Sequence, residues 1–357
     1  MYIIYLITFV ISFLFTLGVL PWVIKLCYNN RIFDISNSRK IHSNNIPRLG
    51  GVVFFPSLLI SAGLGGLLMR YVNDDIDSII VSSTVLLIGA FLIYLVGVAD
   101  DLIELGAKKK FLIQAISALA IPFCGLSINN LYGLFGLYEL PMWASYPITI
   151  FVVLLIVNAM NLIDGIDGLS SIMTLIALSL FAALYQIHGV FGYVDICLAM
   201  MGTILVFIYF NVFGEEVKKT KTFMGDAGSL IIGYALAFFA IKYAMDTPKL
   251  SDRPSAIIIA LTPIIIPVFD LIRVAFKRFL QRKGIFTPDK QHIHHICMAN
   301  GLSMHKTLVV LVCAQIFLCV LNLLMCELAV NVNIILIADI ILYIVLLIIP
   351  HSTESEC

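Results

Sequence analysis

The stretch FVVLLIVNAMNLIDGIDGLSSIMTLIAL, residues 151–178, decides how the chain is read. Two apolar runs flank a segment that carries two Asn and two Asp within ten residues, together with Gly165 and Gly168. Charged and amide side chains at the end of a membrane segment are costly unless something uses them. The rest of the chain supports the membrane reading of the flanks. Of its 357 residues, 61% are hydrophobic and only 12% charged, and the mean hydropathy is +1.04. A soluble domain carries about 25% charged residues. The fold class is therefore all-α, a polytopic integral membrane protein. Formal net charge is zero, which gives no sign of a nucleic-acid partner. The eight Cys stand singly, mostly inside apolar runs, and read as small buried hydrophobes. The first apolar stretch, from Tyr2, has neither a basic leader nor a small-residue cleavage site and is expected to stay as the first helix.

Spans of roughly 17–25 apolar residues cross a bilayer. By that measure about eleven transmembrane helices are expected, over 2–24, 51–69, 79–99, 111–127, 146–161, 169–187, 194–212, 228–245, 255–276, 307–327 and 332–350. No connecting segment is long enough to hide a soluble domain. Residues 1–357 read as one transmembrane catalytic domain, with 307–357 supplying two helices and a short tail. Lys and Arg concentrate on cytoplasmic loops. Eighteen of the 22 follow odd-numbered spans; Arg70, Lys242, Lys249 and Arg253 are the exceptions. This places the N-terminus outside and the C-terminus inside. The polar clusters obey the same parity. RKIHSNNIPRLGG (39–51), VADDLIELGAKKK (98–110), NAMNLIDGIDG (158–168), KTKTFMGDAGS (219–229) and PDKQHIHHI (288–296) all fall on the cytoplasmic side. A transporter more often places its polar groups near mid-membrane. Clusters gathered at one interface suit an enzyme acting on a lipid headgroup.

Each cluster has a chemistry and a plainer alternative. Asp100 and Asp101 are adjacent carboxylates at a helix end, which repel unless a cation or a shared proton relieves them; the alternative is a solvated pair. Asn158, Asn161, Asp164 and Asp167 recur every three residues, so a continuing helix puts all four on one face; Asn, Asp and Gly also favour an ordinary turn. Asp226 lies between two glycines where a helix resumes, able to reach Mg²⁺ or merely to complement the helix dipole. His292, His294 and His295 beside Lys290, Lys283 and Arg282 suit phosphate oxygens. A zinc site or a solvated basic loop are the other readings. Gly50 and Gly51 could serve close helix packing. Carboxylates, amides, histidines and cations on one face point to phosphate chemistry with a divalent cation.

Taken together, RKIHSNNIPRLGG, GVADD, NAMNLIDGIDGLS, FMGDAGSL and PDKQHIHHI resemble the motifs of the polyprenyl-phosphate N-acetylhexosamine-1-phosphate transferase superfamily (glycosyltransferase family 4), in order from Arg39 to His295. PRLGG and HIHH look like the N-acetylglucosamine-1-phosphate branch; the peptidoglycan branch usually reads PTMGG and ends in three consecutive His. The resemblance implies a one-step in-line attack of a lipid phosphate oxygen on the sugar-linked phosphorus of a UDP-sugar, releasing UMP. It implies Mg²⁺, with Mn²⁺ as a substitute, in a shallow cytoplasmic cleft of a bacterial inner membrane. By default the substrates are UDP-N-acetylglucosamine and undecaprenyl phosphate, and the product initiates a cell-envelope polysaccharide. Another UDP-N-acetylhexosamine or UDP-MurNAc-pentapeptide stays open, and so does a homodimer.

Carried onto this sequence, the resemblance makes Asp226 and Asn158 metal ligands, and Asp100, Asp101, Asp164 and His294 catalytic. Lys40, Lys110, Asn161, Asp167, His292 and His295 become substrate-binding. The segment 277–295 lies where the family recognises its sugar. Outside the family, a nucleotide or sugar transporter and a non-catalytic lipid-binding scaffold are the rival readings. Charged residues within the cores of several spans would favour the transporter, and the sequence offers few.

Overall fold

The computed structural model describes residues 1–33, 46–71, 77–248, 250–251, 253–284 and 291–348, with backbone alone for 77–83. Lipid offers no partner to backbone N–H and C=O groups, so apolar runs of this length close their hydrogen bonds as helices. The helices are α1 (Tyr2–Asn30), α2 (Phe54–Arg70), α3 (Asp77–Ile103), α4 (Ala107–Phe123), α5 (Met142–Ile163), α6 (Leu169–Ile187), α7 (Phe191–Val212) and α8 (Gly225–Ala244). They continue as α9 (Ala256–Leu261), α10 (Ile265–Leu280), α11 (Ile293–Ala299), α12 (Met304–Glu327) and α13 (Val332–Ile348). Among the described residues nine helical segments are long and apolar enough to cross a membrane, one of them formed by α9 and α10 in sequence; α4 and α13 have 17 residues each. Every expected span falls on a helix, and the protein is an all-α polytopic membrane protein.

Two elements lie outside the expected spans. One is a hairpin of β1 (Asn130–Leu134) and β2 (Leu137–Glu139), whose turn uses positive φ at Gly133, Phe135 and Gly136. The other is the short α11, which carries the histidine run.

Helix α8 is the axis of the bundle and is buried almost throughout. Small residues let its neighbours approach to backbone contact. A Cβ added at Gly97 of α3 would lie 2.4 Å from Ala227 Cα, and one at Gly51 would lie 2.2 Å from Gly228 Cα. On α8 itself, a Cβ at Gly233 would lie 2.7 Å from Val157 Cα of α5. These approaches bring the ends of α3 and α5 against the start of α8.

The connections sort to two ends of the bundle in alternation. Asn129 donates to Asp246 O at 2.9 Å, Tyr132 OH to Ala244 O at 2.9 Å, and Asn333 Nδ2 to Gly133 O at 3.0 Å. The loops after α4, α8 and α12 therefore meet at one end. All the polar clusters of the sequence that are described lie at the other.

Apart from the motif acids, three carboxylates are buried inside helices among the described residues. Asp195 sits against Gly65 and Thr8. Asp339 accepts Asn322 Nδ2 at 3.0 Å, and Asn322 also donates to Thr262 Oγ1 at 3.0 Å. This second group services a broken helix. Pro263 interrupts the ladder between α9 and α10, and Gln315 takes up the freed groups, donating to Thr262 O at 2.8 Å and accepting from Ile266 N at 3.3 Å. The third is Asp270, on α10.

Candidate active site

The site is assembled by the loop before α8. Backbone bonds zip residues 46–51 onto residues 222–224. Phe223 N donates to Pro47 O at 2.8 Å, Gly50 N to Phe223 O at 3.0 Å, and Gly51 N to Met224 O at 2.8 Å. Gly225 follows with φ +71°, and a Cβ there would fall 2.1 Å from Arg48 O. The turn needs glycine on both counts. Helix α8 then begins at the end of α3, where Asp101 Oδ1 accepts Asp226 N and Oδ2 accepts Ala227 N, both at 2.9 Å. An opposed carboxylate thus satisfies two of the free N–H groups of a helix start.

Asp100 turns the other way. Its Oδ2 lies 3.3 Å from Lys110 Nζ, and the same ammonium lies 2.8 Å from Asp226 Oδ1. Asn161 adds a hydrogen bond to Asp226 Oδ1 at 2.5 Å and a second to Ser229 Oγ at 2.8 Å. Asp226, Asp100, Lys110 and Asn161 thus converge from α8, α3, α4 and α5. Asn158 is one turn deeper in α5, where its amide donates to Gln114 Oε1 at 2.9 Å and Leu154 O at 2.7 Å. The amide at Asp226 is Asn161, rather than the Asn158 expected beside it.

The helical face expected to run from Asn158 to Asp167 breaks at Asp164, where α5 ends. Burial, and then the negative charges of Asp226, Asp167 and Asp101, push the Asp164 carboxyl up to about 8. Asp167 is turned away to Lys221, 2.6 Å from Nζ, and Gly168 N donates to Asn211 Oδ1 at 2.8 Å. Those two bonds tie the α5–α6 loop to the segment before α8.

The histidine run closes over this loop. A Cβ on Gly165 would sit 2.1 Å from His294 Nε2, so the imidazole rests directly on the glycine backbone. The His295 ring centroid is 4.1 Å from that of His294, and the His292 ring lies parallel to it at 6.1 Å. Burial, and then neighbouring His295, hold the His294 imidazole down at about 3. His292 is bonded through Nδ1 to Asp270 Oδ2 at 2.7 Å, an acid absent from the motif reading. Its sequence signal was available: a single Asp inside a span is a functional candidate by default. Lys40, expected to bind substrate, lies outside the described residues, as do 285–290 of the segment expected to read the sugar.

Among the described residues no three His, Cys, Asp or Glu side chains converge as a closed metal cage. The Asp100–Asp226 pair does share one cation, the Lys110 ammonium. Two carboxylates around a single positive charge match the partial oxygen shell that Mg²⁺ completes with phosphate oxygens.

The comparisons bear on this assembly. Residues 83–244, from within α3 to the end of α8, match the model of "Glycosyl transferase family 4". A "Probable undecaprenyl-phosphate N-acetylglucosaminyl 1-phosphate transferase" of Bacillus subtilis is 28% identical over 307 residues, covering 85% of this chain and 80% of that protein. An "Undecaprenyl-phosphate alpha-N-acetylglucosaminyl 1-phosphate transferase" of Salmonella typhimurium is 29% identical over 308 residues, covering 86% and 80%. The described parts of the motifs that carry the resemblance meet at one end of the bundle, and the stretch 83–244 that forms most of it is similar to glycosyl transferase family 4.

Proposed function

We propose that the protein transfers a sugar-1-phosphate, N-acetylglucosamine-1-phosphate by preference, from its UDP-sugar to undecaprenyl phosphate and releases UMP. The observation that carries this reading is the convergence of Asp226, Asp100, Lys110 and Asn161 from four helices, with Asp164 and His294 beside them. The relatives' names supply the substrates. By the positive-inside count, this end of the bundle faces the cytoplasm of a bacterial inner membrane.

Asp226 and Asp100 would hold Mg²⁺, which when bound offsets charge on the phosphoryl oxygens. Lys110, already between the two carboxylates, supplies a further positive charge to the diphosphate. The lipid phosphate is an anion at neutral pH, so its oxygen needs positioning and charge relief more than a base. It attacks the sugar-linked phosphorus in line as the bond to UMP breaks. Asp164 lies beside this group, its carboxyl raised by burial and then by the charges of Asp226, Asp167 and Asp101. His294 closes the site from the α11 side. One anhydride is broken and one is made, so the reaction runs in both directions.

The test is to incubate purified protein with Mg²⁺, undecaprenyl phosphate and, in parallel, UDP-N-acetylglucosamine, UDP-N-acetylgalactosamine and UDP-MurNAc-pentapeptide, and to measure UMP. Release with the first and little with the others is expected. No release with any of them would overturn the reading.

A further inference from the structure

Asp270 is almost wholly buried on α10, inside a membrane span. A buried carboxylate persists only when it is well paired. Its two oxygens are used differently. Oδ1 takes Arg273 Nη2 at 2.6 Å, Tyr343 OH at 3.0 Å and Ile293 N at 3.0 Å. These three bonds fasten α10, α13 and the start of α11 together. Oδ2 takes His292 Nδ1 at 2.7 Å.

A carboxylate can only accept, so Nδ1 carries the ring proton whether the imidazole is neutral or charged. Nε2 is then the edge turned away from Asp270. Among the described residues it is buried and has no hydrogen-bond partner. The ring lies parallel to that of His294, which rests on Gly165 beside Asp164. An imidazole free to rotate or to change tautomer would offer either nitrogen as an acceptor; this one keeps Nε2 alone for that use.

We propose that Asp270 is a positioning residue for the transferase site, acting through His292: it fixes the ring proton on Nδ1 and so aims Nε2 at the nucleotide-sugar beside His294. This rests on the transferase reading above. It adds a residue from a span that none of the five motifs includes. Asp270→Asn separates the two duties of the side chain, because its Oδ1 still accepts from Ile293, Arg273 and Tyr343. The amide nitrogen that replaces Oδ2 cannot accept from Nδ1–H.

The experiment has two readouts. In the protein labelled with ¹⁵N-histidine and held in nanodiscs, the His292 signals are assigned by their loss in His292→Gln. A proton fixed on Nδ1 in wild type, and lost from that fixed position in Asp270→Asn, is expected. A wild-type ring unprotonated at Nδ1 overturns the proposal. In turnover, Asp270→Asn should cost about tenfold to hundredfold in the wild-type background, the worth of one charge-assisted hydrogen bond. In the His292→Gln background it should cost no more than about twofold. An undiminished loss there means that Asp270 acts some other way, and overturns the proposal. A wild type that releases no UMP overturns the transferase reading alone, and the ring spectrum then decides the pair by itself.

Discussion

Asp101 on α3 accepts the backbone N–H groups of both Asp226 and Ala227 at 2.9 Å, while its neighbour Asp100 faces Lys110 Nζ at 3.3 Å. Adjacent in sequence, the two carboxylates do different work. One fixes where α8 starts, and the other lies beside Asp226 at the point where a divalent cation would be held.

Separating the pair by mutation tests this division. Asp101→Ala removes two bonds at a buried helix start, so stability should fall by about 0.5–2 kcal/mol or somewhat more. Asp100→Asn should leave unfolding within about 0.5 kcal/mol of wild type while UMP release falls steeply. Thermal unfolding in detergent and turnover, measured on both variants, check it. Equal unfolding behaviour for the two would contradict the cap.

Divalent cation binding should be visible without substrate. At tenfold its dissociation constant, Mg²⁺ should stabilise the folded protein by about 1.4 kcal/mol. Asp226→Asn keeps the size of the side chain and removes its charge, so the Mg²⁺-dependent shift should vanish together with activity. A shift that survives in the Asn variant removes Asp226 from the metal site.

Gly165→Ala is a small change with a large expected consequence. The new methyl would meet His294 Nε2 at 2.1 Å, so either the ring or the loop must move. Overpacking of this kind costs about 1–3 kcal/mol. Activity should fall by at least tenfold, and His294→Ala in the same background should restore stability. By contrast, nothing lies within 4 Å of a Cβ at Gly66, so Gly66→Ala should be neutral or gain about 0.5–1 kcal/mol from helix propensity.

His294 makes the fold acid-sensitive. Its imidazole is held at about 3 against the ordinary 6.5, so the unfolded chain takes up a proton that the folded protein refuses. The contribution to stability is complete above about pH 6.5 and is lost as pH falls toward 3, at about 1.4 kcal/mol per pH unit. Denaturation measured across pH 7 to 4 should show this slope in wild type, and His294→Gln should flatten it. An unchanged slope in the variant assigns the proton to another group.

The orientation proposed from the charge count can be read directly. An epitope inserted between Phe135 and Gly136, at the hairpin turn, should be accessible on intact cells. One between Val217 and Lys218 should be accessible only after permeabilisation. The reverse pattern would place the site outside.

The helical runs were legible, nine of them long and apolar enough to cross a membrane among the described residues, because a membrane helix must satisfy its own backbone, which writes length and apolarity directly into the sequence. The clustering was legible where residues recur in motifs: the structure brings Asp100, Asp226 and Asn161 together and sets His294 on Gly165, next to Asp164. Asp270 stands outside the motifs, and its signal is only that of a single acid inside an apolar span, with no periodicity to tie it to His292. The hairpin at 130–139 escaped because it rests on positive-φ turn residues and on partners at Asp246 and Asn333.

Sequence alone therefore determined the class, the places of the helical runs and the parity that gathers the clusters at one end, since each of these depends on local composition. Only the tertiary structure decided which of two adjacent carboxylates faces Lys110, which of two asparagines reaches Asp226, and that Asp270 lies behind His292. Those outcomes depend on how closely α3 and α5 approach α8 at Gly97 and Gly233, a distance set by packing between segments remote in the chain.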